Sequence, residues 1–107
     1  MNIETLHTVS YYVIKISGDL DASNSNDLDK EIRKVIELNE KSIVINCSNL
    51  DYVSSAGLGV FVSYLEEFKE KQIYFALSNV SERVLEILNI LGLDKLINIL
   101  DLNIYDG

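Results

Sequence analysis

A chain of 107 residues that is 48% hydrophobic and 24% charged has the length and balance of one small folded domain spanning residues 1–107, not of a disordered segment. Its formal net charge is −8, with no Lys/Arg clusters. That speaks against nucleic acid and against an anionic membrane surface, because both need such clusters, while a basic protein partner stays compatible.

A single cysteine, Cys47, excludes an intrachain disulfide framework. One Cys with one His cannot supply a Cys/His zinc site. No apolar run reaches the roughly 18–20 residues that span a bilayer. The N-terminus lacks the basic flank and apolar core of a signal peptide. A soluble, cytoplasmic protein without metal or cofactor is the expectation.

Residues 3–7 are weakly strand-like. Residues 11–17 alternate strongly, with Tyr12, Ile14 and Ile16 on one face and Tyr11, Val13 and Lys15 on the other. Thr8-Val9-Ser10 is short enough for a hairpin turn, and Gly18 is expected to break the second strand. The small polar stretch 22–26 offers several helix N-caps. Leu28, Ile32, Val35 and Ile36 then follow at helical spacing, predicting a helix to about Leu38. The β-branched run 42–47 reads as a buried strand, with 48–53 as a connection.

From Leu58 the period becomes helical again. Leu58, Phe61, Val62, Leu65 and Phe68 form one apolar stripe, opposite Glu66, Glu67, Lys69 and Glu70. Residues 73–77 predict another buried strand. Asn79-Val80-Ser81-Glu82 has capping-box spacing, with Asn79 as cap and Glu82 reaching back. Val84, Ile87, Leu88 and Leu91 predict a helix ended by Gly92. Residues 96–100 are a short strand or helix, and 101–107 are uninformative. The order β-β-α-β-α-β-α implies a partly parallel sheet covered by helices.

The turn Asp51-Tyr52-Val53-Ser54-Ser55-Ala56-Gly57-Leu58-Gly59 joins a buried strand to the amphipathic helix. Either serine could cap the helix by accepting a free backbone N–H. The same geometry can present a hydroxyl outward. Small residues at Ala56, Gly57 and Gly59 would allow another protein's backbone to approach. A phosphate there would meet the partial positive charge of a helix N-terminus.

The stretch from Asn49 to Val60 (Asn49-Leu50-Asp51-Tyr52-Val53-Ser54-Ser55-Ala56-Gly57-Leu58-Gly59-Val60) resembles the signature loop of STAS domains, the family of sulphate transporters and anti-sigma factor antagonists. Gly18-Asp19-Leu20-Asp21 resembles the end of their second strand. The stretch from Leu77 to Leu88, with Gly92-Leu93, resembles their last strand, loop and helix. The three matches are collinear over nearly the whole chain.

The resemblance implies an α/β fold: a four- to five-stranded mixed sheet with helices packed mainly on one side. It implies no enzyme activity and no cofactor. It implies instead a protein that binds an anti-sigma factor, itself a serine kinase, and is released when that kinase phosphorylates it. A serine phosphatase resets the cycle. Alignment on Gly57-Leu58-Gly59 places the phosphoacceptor at Ser55, with Ser54 as a minor rival because many members carry Asp there. They often carry Ser or Thr where this chain has Ala56. The partner-facing edge becomes Asp21, Ala22, Ser23 and Asn24, with Ser54, Ser55, Ala56, Gly57, Leu58 and Gly59.

Two other readings compete. One is a STAS scaffold or sensor subunit that is not switched and binds protein partners or a nucleotide, although no Gly-rich phosphate loop with Lys is present. The other is a receiver that takes phosphate on aspartate, but the central strand ends Val44-Ile45-Asn46 and offers no acceptor. Asp19, Asp21 and Asp51 are better explained as turn and cap residues than as a metal cluster. His7 has no nucleophile to serve, and Cys47 is expected to be a packed core thiol.

Overall fold

The computed structural model describes residues 1–100. Strands β1 (Asn2–His7) and β2 (Tyr12–Leu20) form an antiparallel hairpin. The Thr8 amide donates to the Tyr11 carbonyl at 2.8 Å and the Tyr11 amide to Thr8 Oγ1 at 2.9 Å, closing the turn. Then follow α1 (Ser25–Glu37), β3 (Ser42–Val53), α2 (Ser55–Glu70), β4 (Tyr74–Ser78), α3 (Glu82–Ile90), a 3₁₀ turn (Leu93–Lys95) and β5 (Asn98–Leu100). The sheet order is β1-β2-β3-β4-β5, with β2 through β5 mutually parallel.

That order dictates where the helices go. Each crossover steps to the next strand in the same direction, so right-handed connections place α1, α2 and α3 on one face. Accordingly, Leu28, Ile32 and Val35 of α1, Phe61 and Phe68 of α2, and Val84 and Leu88 of α3 join one core with Ile14, Ile16, Ile43, Ile45, Phe75 and Leu77. Val13, Val44 and Ala76 alternate to the other face and lie outside that cluster. The expected α/β architecture, with five strands and one-sided helices, is what the structure has. Cys47 is fully buried, and burial pushes its thiol up to about 12, leaving it protonated and inert.

Several expectations are corrected. Gly18 does not end β2. It takes φ +92° at a register shift and lets the strand bulge and continue to Leu20. The connection 48–53 is strand as well, because β3 follows β2 through the pairs Ser17 with Asn49, Gly18 with Leu50, Asp19 with Tyr52 and Leu20 with Val53. Asn79 is not the cap of α3. It occupies the left-handed region (φ 56°), which Asn tolerates, and Ser81 caps instead, its Oγ accepting from the Val84 amide at 3.2 Å. Gly92 does end α3 in the left-handed region, at φ 73°, whereas Leu91 points outward. Of the segment 96–100, only Asn98–Leu100 becomes a strand.

The stripe on α2 is also shifted. Val62 is exposed and Leu65 only half-buried, while Tyr64 is buried. A phenol can sit there because its hydroxyl donates to Asp29 Oδ1 at 2.6 Å, and desolvation with that bond pushes it up to about 12. Arg33 lies over the Tyr64 ring and makes a two-pronged contact with Glu67, 2.8 Å on each arm, while Lys71 adds a third bond to Glu67 at 2.7 Å. Glu67, expected on the solvent face, thus ties α2 to α1.

Arg33 first and Lys71 second hold the Glu67 carboxyl at about 2 against an ordinary 4.5. The unfolded chain therefore takes up this proton first. The network's contribution is whole above about pH 4.5 and is lost as pH falls toward about 2. All three side chains are partly exposed, so solvent screening keeps that contribution below about 1 kcal/mol. Glu67→Gln is expected to make the acid-side decline of stability shallower across that window in urea titrations. An unchanged slope contradicts the assignment.

Candidate functional site

The site is built where β2 and β3 end together. Leu20 pairs with Val53, and the next residue, Ser54, donates its amide to the Leu20 carbonyl at 2.9 Å. Ser54 stays extended (φ −88°, ψ 171°) and α2 starts at Ser55. The Ser54 Oγ turns back to accept the Gly57 amide at 3.2 Å. The two serines are thereby separated. Ser54 is half-buried and is the N-cap; Ser55 is the first helical residue and is exposed.

The donors of this helix end can be accounted for one by one. The Ser54 amide goes to Leu20 and the Gly57 amide to the Ser54 hydroxyl. Among the described residues, the Ser55 and Ala56 amides meet no protein acceptor. Both lie in the first turn of a 16-residue helix that carries no acidic residue there. The positive end of the helix dipole and two open N–H groups therefore lie at Ser55 and the residue after it, an environment that favours an anion.

The loop 21–24 follows Leu20 directly. Asp21 Oδ1 accepts from both the amide and the hydroxyl of Ser23. The Ser23 hydroxyl, then its amide, hold the Asp21 carboxyl below its usual range, so it is ionised at neutral pH. Asn24 Oδ1 accepts the Asp21 amide at 2.9 Å, and Asn24 Nδ2 donates to the Asp19 carbonyl at 2.8 Å. Asn24 precedes α1 but its side chain makes no cap bond; it staples the loop to the strand end instead.

The sequence-predicted residues thus meet at one end of the sheet, though not all face outward. Ala22, Ser23, Ser55, Ala56 and Gly59 are exposed, and Asp21, Asn24 and Ser54 are half-buried. Gly57 and Leu58 are corrected: both are buried, so neither offers a surface to a partner. Gly57 is small because Leu20 lies against it, not because a partner approaches it. Two exposed neighbours lie outside the partner-facing edge expected from the sequence. Asp19 and Tyr52 sit opposite each other just before the turn, and Tyr52 is 46% exposed. Reading 48–53 as strand is the signal that would have paired them.

Among the described residues, no group of His, Cys, Asp and Glu side chains could hold a metal ion, and no helix is long and apolar enough to cross a membrane. His7 lies far from this turn in the fold's first hairpin, 3.4 Å from Glu40.

The family model for the STAS domain matches residues 1–106. The chain belongs to the STAS domain family. The anti-sigma-B factor antagonist of Staphylococcus epidermidis is 28% identical to this STAS domain over 99 residues, covering 92% of each chain. The anti-sigma-B factor antagonist of Staphylococcus aureus strain NCTC 8325 matches to the same extent. Among solved structures, an anti-sigma factor antagonist from Mycobacterium paratuberculosis has a TM-score of 0.85 at 19% identity, over 95% of this chain and 86% of that one. The unphosphorylated form of the anti-sigma factor antagonist SpoIIAA gives 0.76 at 18% identity, over 98% and 93%. The phosphorylated form of the Bacillus cell fate determinant SpoIIAA gives 0.72 at 20% identity, over 94% and 92%. At these identities the solved structures establish the fold.

The division between the two serines of this STAS domain has a stability signature. Ser54→Ala is expected to cost about 1 kcal/mol, the usual loss for an N-cap. Ser55→Ala should stay within about 0.5 kcal/mol, as for an exposed residue without partners. Urea denaturation of the two variants measures both; equal losses contradict the division.

Proposed function

We propose that this STAS domain is an anti-sigma factor antagonist whose binding is switched at Ser55. In its unphosphorylated form it binds an anti-sigma factor that is itself a serine kinase, which frees the sigma factor for transcription. The kinase transfers the γ-phosphoryl group of ATP to Ser55 Oγ. The hydroxyl proton passes to a base on the kinase, and ADP leaves. A serine phosphatase hydrolyses the phosphate and resets the cycle. The domain is not an enzyme in this scheme, binds no cofactor, and works in the cytoplasm.

The observation that carries this reading is the exposed, uncommitted hydroxyl of Ser55, set beside a serine already used as the cap, in a chain related over 92% of its length to anti-sigma-B factor antagonists. A phosphate adds about −1.5 to −2 charges at neutral pH. On its own fold that charge is tolerated, since the helix end supplies open N–H groups. Within an interface the same charge must be desolvated, and it lies at the end of the sheet that carries the ionised Asp21. The switch therefore acts on the complex and leaves the domain folded.

Ser54 in place of the acid common among relatives keeps the capping role, because Ser and Asp cap about equally well. That leaves Ser55 alone to change state.

The test is capture of the anti-sigma factor from the cells that make this protein, with wild type, Ser55→Ala and Ser55→Asp as baits. Wild type and Ser55→Ala should bind alike, and Ser55→Asp at least about tenfold more weakly. Equal binding of wild type and Ser55→Asp overturns the switch and supports the scaffold reading.

A further inference from the structure

We propose that Leu20 and Gly57 form a positioning contact that sets where the Ser55 hydroxyl stands relative to the loop 21–24, so that the two present one surface. This rests on the reading above only in taking that surface to face the anti-sigma factor.

The geometry is specific to Gly57. A Cβ built there would lie 2.6 Å from Leu20 Cγ, 3.0 Å from Leu20 Cδ2 and 3.0 Å from the Leu20 carbonyl oxygen. Contacts under 3.0 Å do not persist between carbon atoms, so any larger residue at 57 must move something. Leu20 cannot yield easily. Its side chain is fully buried, its backbone pairs with Val53, and its carbonyl holds the Ser54 amide. What can move is the first turn of α2, which carries Ser55, or the chain after Leu20, which is the loop.

That loop has little freedom of its own. Asn24 bonds both the Asp21 amide and the Asp19 carbonyl, clamping it to the residues that flank Leu20. One buried leucine therefore touches both halves of the candidate surface: the loop through the chain, and the serine turn through Ser54 and Gly57. Gly59 provides the contrast. A Cβ at that position meets nothing within 4 Å, so its small size serves no packing inside the described fold.

The experiment is amide NMR of the full chain in wild type, Gly57→Ala, Leu20→Ala, Leu20→Ala/Gly57→Ala and Gly59→Ala. In Gly57→Ala the signals of residues 21–24 should shift together with those of Ser54 and Ser55, while Gly59→Ala leaves the loop signals in place. Trimming Leu20 removes two of the three close contacts. The loop signals of the double variant should therefore return more than halfway toward wild type. A Gly57→Ala effect confined to α2, or a double variant no nearer to wild type, overturns the proposal.

Should Gly57→Ala fail to fold, Leu20→Ala and the double variant decide the matter between them. With only the 3.0 Å approach to the Leu20 carbonyl left, the added methyl should move the loop signals less, between Leu20→Ala and the double variant, than it moves those of Ser54 and Ser55; a loop that moves as far overturns the contact. None of these readings needs the partner. Failure of the positioning contact is thus distinguishable from failure of the functional reading, which the capture experiment decides separately.

Discussion

The site depends on one shared strand ending. β2 and β3 stay paired through a bulge at Gly18 until Leu20 meets Val53, and the pairing finishes with the Ser54 amide donating to the Leu20 carbonyl at 2.9 Å. This bond fixes where β3 stops and α2 begins. Had β3 ended at Cys47, six further residues would be loop, and the serine turn would have no fixed relation to the loop 21–24. A buried parallel pair is costly to distort, because each lost ladder bond leaves a polar group unsatisfied. Rigid strands thus deliver two loops to one place, the arrangement by which open α/β sheets place their sites at the carboxyl ends of strands.

The second consequence is electrostatic. The fold uses one serine to close the helix end and leaves the next one open, beside the unengaged amides of Ser55 and Ala56. Capping and switching place opposite demands on a hydroxyl: a cap must hold its bond, and a switch must be free to react. In the proposed switch, two adjacent serines resolve the conflict. The chain's net charge of −8 adds to it, since phosphate placed on an already acidic protein raises repulsion toward acidic groups across an interface. The contacts of Arg33 with Glu67 and of Tyr64 with Asp29 tie α1 to α2, the two helices that bear the site edges.

Much of this was legible before any coordinates. Period-two alternation at 11–17 and the helical spacings of Leu28 to Ile36 and of Leu58 to Phe68 placed the elements, because one-sided burial writes its period into the chain. The shared end of Asp21 and Ser55 followed from the STAS resemblance rather than from any local pattern. Other features were hidden for physical reasons. Gly18 reads as a breaker, yet a glycine with positive φ can also be a bulge, and only the partner strand decides. Tyr64 is polar enough to look like surface until Asp29 is found to accept its hydroxyl. Asn79 and Ser81 are both good caps, and the choice between them depends on a left-handed turn no composition reveals. Gly57 looked open to a partner because its neighbour in space, Leu20, is distant in sequence.

The central claim is that Ser55, and not the capping Ser54, carries the switch. Its most direct test is to incubate the protein with the captured anti-sigma kinase and ATP, and to locate the phosphate by mass spectrometry. The account predicts phosphate on Ser55, none on Ser54, and release of the complex as it accumulates. Phosphate on Ser54 or only elsewhere, or a Ser55→Ala protein that the kinase still releases on adding ATP, would contradict it.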